Sequence, residues 1–131
     1  MFRAIKLKDC MGEDITVEFL ANAATPRRYK QIFREDLLQK FMDARKEKDG
    51  KEVYNIDFLS ELSYIMAMQA AAKRDSGIKL DMLNENAFIN WLEQFESMAL
   101  ETAANEITDV YLGNVHTDSE SKKNTSEQSG S

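Results

Sequence analysis

The chain has 131 residues, which is enough for one domain with a substantial hydrophobic core. Its formal net charge of −6 argues against a protein that binds nucleic acid through phosphate contacts, and against attachment to an anionic membrane. A single cysteine, Cys10, and a single histidine, His116, exclude an intramolecular disulfide and a zinc site built on several Cys or His ligands. No signal peptide and no bilayer-spanning apolar run are visible, so we expect a cytoplasmic protein without a cofactor.

Residues 2–20 are predicted to form a β-hairpin. Five apolar residues alternate with polar ones, namely Ile5, Leu7, Ile15, Val17 and Phe19. The turn is expected within Asp9–Asp14, and Phe2 is out of phase with the apolar positions of its strand. Because an isolated hairpin is marginal in water, this one must lie on helices or pair with another strand edge.

A first helix is predicted from about Pro26 to Arg45, beginning at Thr25-Pro26, which suit the N-cap and first helical positions. Its apolar stripe recurs every four residues, at Tyr29, Phe33, Leu37 and Phe41. The mixed-charge run Arg45–Glu52 follows. We predict that it is an exposed loop, with Gly50 as the helix breaker.

A second helix is predicted to begin near Asn55 or Asp57 and to run to about Arg74. A third starts near Asn84, and a fourth segment, Met98–Tyr111, either continues it or follows a kink at Glu96-Ser97. From residue 114 onward the composition is almost entirely polar, which predicts a disordered tail over 114–131. The fold prediction is therefore α+β: an N-terminal β-hairpin packed on a bundle of three to four helices, in one domain spanning 1–113.

No catalytic constellation is visible, and we predict that the protein is not an enzyme. Cys10 lacks a neighbouring base in sequence, and the predicted tail cannot hold His116 in a fixed geometry. Three pairs of acids remain as candidates for metal or acid–base chemistry: Glu35/Asp36, Glu93/Glu96 and Glu101/Glu106. Solvated helix faces are the favoured interpretation, because no calcium-loop pattern accompanies them.

A basic triplet occupies the first turns of the first helix, at Arg27, Arg28 and Lys30. The helix dipole disfavours positive charge at this end. Two interpretations stay open. The triplet binds an acidic group on a partner, or its arginines lie over neighbouring acids of the same fold.

Three stretches carry a resemblance to a known family. They are Ala24-Thr25-Pro26 with Tyr29, Phe33 and Asp36-Leu37; Tyr64-Ile65-Met66-Ala67; and Trp91-Leu92-Glu93-Gln94-Phe95-Glu96. In this order, over about residues 2–112, they resemble tail assembly chaperones of long-tailed phages and prophages from Gram-positive bacteria. Arg34 departs from the pattern, which has a small residue, often glycine, after that phenylalanine. The basic triplet is not part of the pattern.

The resemblance implies a non-enzymatic chaperone in virion morphogenesis. Such proteins bind the tape measure protein, are displaced as tail tube subunits polymerise, and are absent from the mature virion. In this family a programmed ribosomal frameshift extends a minority of copies into a longer form. Lys122-Lys123-Asn124 can be encoded by A-rich codons, which would suit such a frameshift site. Self-association through the hairpin edge, and thus a homo-oligomer, is also expected.

The predicted partner-binding residues are hydrophobic side chains expected to be exposed on the first two helices, together with the basic triplet. They are Phe33, Phe41, Met66 and Met68, with Arg27, Arg28 and Lys30. Methionine-rich helix faces suit adaptable binding of helices. Two other functions remain as alternatives. One is a helical adaptor unrelated to phage, and the other is a small carboxylate-based, metal-dependent enzyme.

Overall fold

A computed structural model describes residues 1–113, apart from the side chains of Lys51 and Glu52. The predicted disordered tail, with His116 and the Lys122-Lys123-Asn124 run, lies outside the described residues. The elements in chain order are β1 Phe2–Lys8, β2 Asp14–Leu20, α1 Thr25–Phe33, α2 Leu37–Ala44, β3 Arg45–Lys48, β4 Lys51–Tyr54, α3 Ile56–Arg74, α4 Glu85–Leu92 and α5 Ala99–Thr102. A short 3-10 turn, Leu80–Met82, precedes α4, and residues 104–113 are helical. The predicted α+β fold class is confirmed.

The helix α3 forms the centre of the molecule. Its buried residues lie on every side of the helix, and they include Phe58, Leu62, Ile65 and Met66. Such burial is expected where apolar residues and small alanines occupy almost the whole circumference. The Asn55 side chain caps the helix by accepting hydrogen bonds from the backbone N–H groups of residues 57 and 58, at 2.9 and 3.2 Å. The predicted second helix is therefore confirmed, and it is α3 on which the other elements pack.

The β1–β2 hairpin packs against α3 through the predicted apolar face. In its antiparallel register Ile5 lies opposite Val17, and Leu7 lies opposite Ile15. The side chain of Gln69, on α3, donates one hydrogen bond to the carbonyl of Leu20 and one to Thr25 Oγ1, each at 2.8 Å. This buried amide therefore fixes the end of β2 and the start of α1 relative to the central helix.

The predicted first helix is two helices. The helix α1 ends at Phe33, and Arg34 adopts a left-handed conformation with φ of 65°. Asp36 then caps α2, its side chain accepting a hydrogen bond from the backbone N–H of Gln39 at 2.9 Å. The prediction of one continuous helix is wrong because the four-residue apolar repeat continues across the break. Both helices bury that repeat in the same core, with Tyr29 in α1 and Leu37 in α2.

The charged run after α2 is a second hairpin, β3–β4, and not a loop. Its strands pair antiparallel, with Arg45 opposite Tyr54 and Lys48 opposite Lys51. The two turn residues, Asp49 and Gly50, have φ of 53° and 76°. An Asp-Gly pair with positive φ at both positions is the preferred two-residue hairpin turn. The exposure predicted for this run is confirmed for β3, but the assignment as a loop is wrong.

The C-terminal helices are separated by a short extended segment. Asn84 caps α4, accepting a hydrogen bond from the backbone N–H of residue 87 at 2.9 Å, where the third helix was predicted to begin. After α4, the Gln94 carbonyl accepts from the backbone N–H of Cys10 at 2.9 Å, and the backbone N–H of Glu96 donates to the Lys8 carbonyl at 3.0 Å. These bonds to the first hairpin interrupt the helix. Of the two predictions for this region, the one with a break near Glu96 is confirmed.

Candidate partner-binding surface

Aromatic side chains from α1, α3, α4 and the segment after α4 form one connected cluster. We use the name aromatic cluster for six of these rings, Tyr29, Phe33, Tyr64, Phe88, Trp91 and Phe95. Tyr29 also contacts Phe58, at 6.1 Å, which connects the cluster to the rings around Phe41. Neighbouring ring centroids within the cluster lie 4.8 to 5.6 Å apart, within the range of favourable aromatic pairs. Each of the three stretches that carry the family resemblance therefore contributes at least one ring to this cluster, and Phe88, which lies outside them, links the first stretch to the second.

Two of the predicted partner-binding residues lie in the core. Phe41 is 5% exposed and Met66 is fully buried. The Phe41 ring contacts the rings of Tyr54, Phe58 and Tyr111, with centroids 5.4 to 5.7 Å apart. The expectation that these two side chains stay exposed is wrong, because β4 and the last helical segment cover the face of α2 that carries Phe41.

The other two predicted hydrophobic residues, Phe33 and Met68, are partly buried. Phe33 belongs to the aromatic cluster and stacks edge-on against Phe88, with centroids 5.3 Å apart. Met68 lies beside Trp91 in a shallow depression between α3 and β2. Each side chain therefore packs mainly against the chain itself and leaves only part of its surface for a partner.

The apolar side chains that α2 does expose are Leu38 and Met42, which are 56% and 63% exposed. They are four residues apart, so they lie next to each other on one helix face. We call this pair the α2 apolar face. The sequence predicts this face once the start of α2 at Leu37 is known. Positions 37, 41 and 44 then point inward, so positions 38 and 42 point outward.

The predicted basic triplet is divided between two sides of α1. Arg27 and Lys30 are exposed and line a shallow groove of about 550 Å³ together with Gln31, Arg34 and Asp36. We call this the basic groove. Arg34, which the sequence analysis did not include among binding residues, completes its row of three cations.

Arg28 lies outside the basic groove and is partly buried, and its Nε atom has no hydrogen-bond partner among residues 1–113 as far as they are described. Among the described side chains, Arg27, Arg28 and Lys30 form no ion pair. The first turn of α1 also contains no acidic residue. The sequence left two interpretations open. The one in which the arginines pair with acids of the same fold has no support in the described part of the chain.

A buried polar contact that the sequence did not reveal connects α1 to α3. The Tyr29 hydroxyl donates a hydrogen bond to Glu61 Oε1 at 2.9 Å. Burial raises the pKa of the Glu61 carboxyl group, while the hydrogen bond from Tyr29 opposes that shift. Lys40 and Glu35 form an ion pair nearby, at 2.9 Å, and the hydrogen bond that Lys40 donates to Glu35 raises the pKa of Lys40.

Three of the six acids that the sequence analysis paired have separate structural contacts. Glu35 pairs with Lys40, Asp36 caps α2, and Glu106 forms a long ion pair with Arg3 at 3.6 Å. Within residues 1–113, no group of three or more Cys, His, Asp or Glu side chains is arranged to hold a metal ion. In the same range, none of the helices combines the length and apolar character needed to cross a bilayer.

Comparison with known proteins yields no relative. No protein-family model matches the chain, and neither the curated proteins nor the solved structures contain a significant match. The functional interpretation therefore rests on the residues of this chain and on the resemblance carried by its three motif stretches.

Proposed function

We propose that this protein is a tail assembly chaperone of a long-tailed phage or prophage of Gram-positive bacteria. In this role it binds the tape measure protein without catalysing a reaction, and keeps that protein soluble until the tail is built. It acts in the host cytoplasm, leaves the tape measure protein as tail tube subunits polymerise, and is absent from the mature virion.

The observation behind the proposal is that one aromatic cluster joins the three motif stretches: Tyr64 contacts Trp91 directly, and Phe88 links Phe33 to Tyr64. Tyr29 and Phe33 from the first stretch, Tyr64 from the second, and Trp91 and Phe95 from the third all belong to the aromatic cluster. Residues that pack together determine a fold jointly, so a shared set of them is more informative than three separate short matches. The resemblance therefore covers positions that hold α1, α3 and α4 in one arrangement.

The exposed surface offers a suitable contact for a helical partner. The α2 apolar face presents Leu38 and Met42, one turn apart, on a helix whose opposite side is anchored in the core by Leu37 and Phe41. Exposed apolar side chains at this spacing can lie along an amphipathic helix of another protein. Methionine adapts to partners of different shape because its side chain is unbranched and flexible.

Co-expression with the tape measure protein encoded near this gene tests the proposal. We expect a soluble complex that co-purifies, whereas the tape measure protein alone is expected in the insoluble fraction. The double variant Leu38→Glu/Met42→Glu should reduce the yield of the complex by about tenfold or more, because it places two charges on an apolar contact.

The matched control is Met82→Glu/Ile89→Glu, which changes two exposed apolar residues outside α2. This variant should co-purify as wild type does. If the wild-type chain neither binds the tape measure protein nor changes its solubility, the proposed function is wrong.

A further inference from the structure

We propose that the basic groove binds an acidic helical segment of a partner protein, with its carboxylates paired to Arg27, Lys30 and Arg34. For a tape measure protein as the partner, this inference rests on the proposed function and adds the chemistry of the bound segment. The binding chemistry itself can be tested without that partner.

The spacing of the three cations defines the kind of segment that fits. Arg27, Lys30 and Arg34 are three and four residues apart, so the first two lie on one face of α1 and the third continues that row at its C-terminal end. The row extends about 10 Å along the helix axis, which is two turns. A partner helix with carboxylates at the same three- and four-residue spacing presents them over the same length.

The charge of the basic groove lacks a partner within the described part of the chain. None of the described acidic side chains forms an ion pair with Arg27, Lys30 or Arg34. Asp36 lies at the edge of the groove, but its carboxylate already accepts the hydrogen bond that caps α2. The row is thus an accessible positive surface on a chain whose net charge is −6.

Arg34 gives a separate reason to regard the row as functional. Its φ of 65° is a conformation that glycine adopts readily and that other residues adopt at an energetic cost. An arginine here adds strain to the end of α1 and adds a third cation to the groove. A strained residue at the one position that extends the row favours a binding role.

The size and setting of the groove favour a peptide segment over a nucleic acid. A nucleic acid spreads its phosphates far beyond two helical turns, and its further contacts would meet a surface of net negative charge. A short acidic segment places its charges only where the cations are. The inference is therefore restricted to a protein partner with a local acidic face.

A titration with a synthetic peptide tests this chemistry directly. The probe is an alanine-rich helical peptide of about 18 residues with three glutamates at the spacing of the groove cations, and its control carries glutamines instead. We expect the glutamate peptide, at about 50 mM salt, to shift the amide resonances of residues 23–36 in the full-length protein. The binding should weaken by about tenfold or more in Arg27→Glu/Arg34→Glu, because two attractive contacts become repulsive.

The matched control variant is Lys6→Glu/Lys79→Glu, which reverses two exposed lysines elsewhere and should bind as wild type does. If the charge-reversal variant fails to fold, Arg27→Gln/Lys30→Gln replaces it in the titration. This variant only removes two charges from an exposed helix face. Equal binding of the glutamate and glutamine peptides overturns the inference. Resonance shifts that leave residues 23–36 unaffected also overturn it, and so does a short single-stranded oligonucleotide that binds this groove more tightly than the glutamate peptide.

The same variants separate this inference from the proposed function. If the tape measure protein co-purifies equally with wild type and with Arg27→Glu/Arg34→Glu, the proposed function stands and the groove is not its contact. If the glutamate peptide binds the groove but no tape measure protein co-purifies, the acidic-segment inference stands and the proposed function fails.

Discussion

Two regions of this molecule acquire their structure in different ways. In the packing-determined region, formed by β1, β2 and α3, apolar side chains alternate or recur and are buried against one another, as Ile5, Phe19 and Leu62 are. In the turn-determined region, residues 34–54, the course of the chain changes at Arg34 and again at Asp49-Gly50, where φ is positive. The β1–β2 hairpin lies on a helix through its apolar face, whereas every residue of β3 is exposed.

The contrast shows how apolar alternation and turn residues each determine the register of a hairpin. Apolar alternation determines which face of a strand is buried, so it also fixes the register of the first hairpin. In the second hairpin every residue of β3 is exposed, and the register follows from a two-residue turn together with the burial of Tyr54 at its end. Substitutions in the two regions should therefore have different consequences.

The largest expected effect is loss of core packing in the packing-determined region. Phe19→Ala removes a fully buried ring and should lower the free energy of unfolding by about 3–5 kcal/mol. Urea unfolding followed by circular dichroism measures this change. Met42→Ala, at a side chain that is 63% exposed, is the control and should change the value by less than about 0.5 kcal/mol. Similar losses in both variants would contradict the assignment of these side chains to core and surface.

The next largest effect is expected from replacing the glycines of the two hairpin turns. Gly12 and Gly50 have φ of 83° and 76°, and a β-carbon at either position would meet no atom within 4 Å. Substitution by alanine should therefore cost about 1–2 kcal/mol in each turn through backbone strain alone.

The consequence for the strands should nevertheless differ between the two turns. In Gly50→Ala, amide hydrogen exchange should accelerate most at the turn end of β3–β4, because every residue of β3 is exposed and the buried Tyr54 lies at the opposite end of the hairpin. In Gly12→Ala, the amides of β1–β2 should stay protected by packing on α3. Equal acceleration in the two hairpins would remove the distinction between the regions.

A smaller, stabilising effect is expected at the break between α1 and α2. Arg34→Gly should raise the free energy of unfolding by up to about 1 kcal/mol, since glycine adopts positive φ without strain but loses more chain entropy. Arg34→Ala is the control, because it removes the same charge and keeps the strain. Thermal unfolding measures both. If Arg34→Gly is no more stable than Arg34→Ala, the left-handed conformation of this residue is not a source of strain.

The smallest effect concerns Glu61, which connects the central helix to α1 through Tyr29. Burial raises the folded-state pKa of this carboxyl group above its ordinary value of 4.5, so the folded state binds the proton more tightly than the unfolded state does. The contribution of this group to stability is therefore fully present below about pH 4.5 and is lost as the pH rises through the folded pKa.

Glu61→Gln cannot titrate, and its amide oxygen can still accept the hydrogen bond from Tyr29. We expect this variant to gain stability relative to wild type as the pH rises from 4 to 7. The measurement is the difference between the two free energies of unfolding across that range. A difference that does not change with pH would mean that Glu61 has an ordinary pKa in the folded protein.

The two regions also explain which parts of the fold could be predicted. The first hairpin and α3 were identifiable because their apolar periods match their burial, and Asn55 marks the start of the helix. The break at Arg34 was hidden because the spacing from Tyr29 to Phe41 continues unchanged across it. The second hairpin was missed because the run from Arg45 to Glu52 lacks apolar alternation, although the Asp49-Gly50 pair was a valid turn signal.

Only part of the candidate partner-binding surface could be predicted from the sequence. A helical stripe shows which face of a helix is apolar, but it does not show whether another element covers that face. Phe41 was predicted to be exposed, yet Tyr54 and Tyr111 approach it from elements distant in sequence. Arg27 could be identified from sequence alone because its charge conflicts with the dipole at the start of the helix. For Lys30 that argument is wrong, because α1 ends at Phe33 and Lys30 therefore lies in its last turn, where the dipole favours a cation. The addition of Arg34 to their row required the structure, since it depends on where α1 ends.

We infer that the protein holds its partner on the outer surface of α1 and α2, while the packing-determined region serves as the support. Hydrogen–deuterium exchange of the chain, free and in complex with the tape measure protein, measures this division. We expect slower exchange in residues 25–44 on binding, with little change in α3, because the amides of this buried helix should exchange slowly in the free chain as well. No change in residues 25–44, with protection gained only elsewhere in the chain, would contradict it.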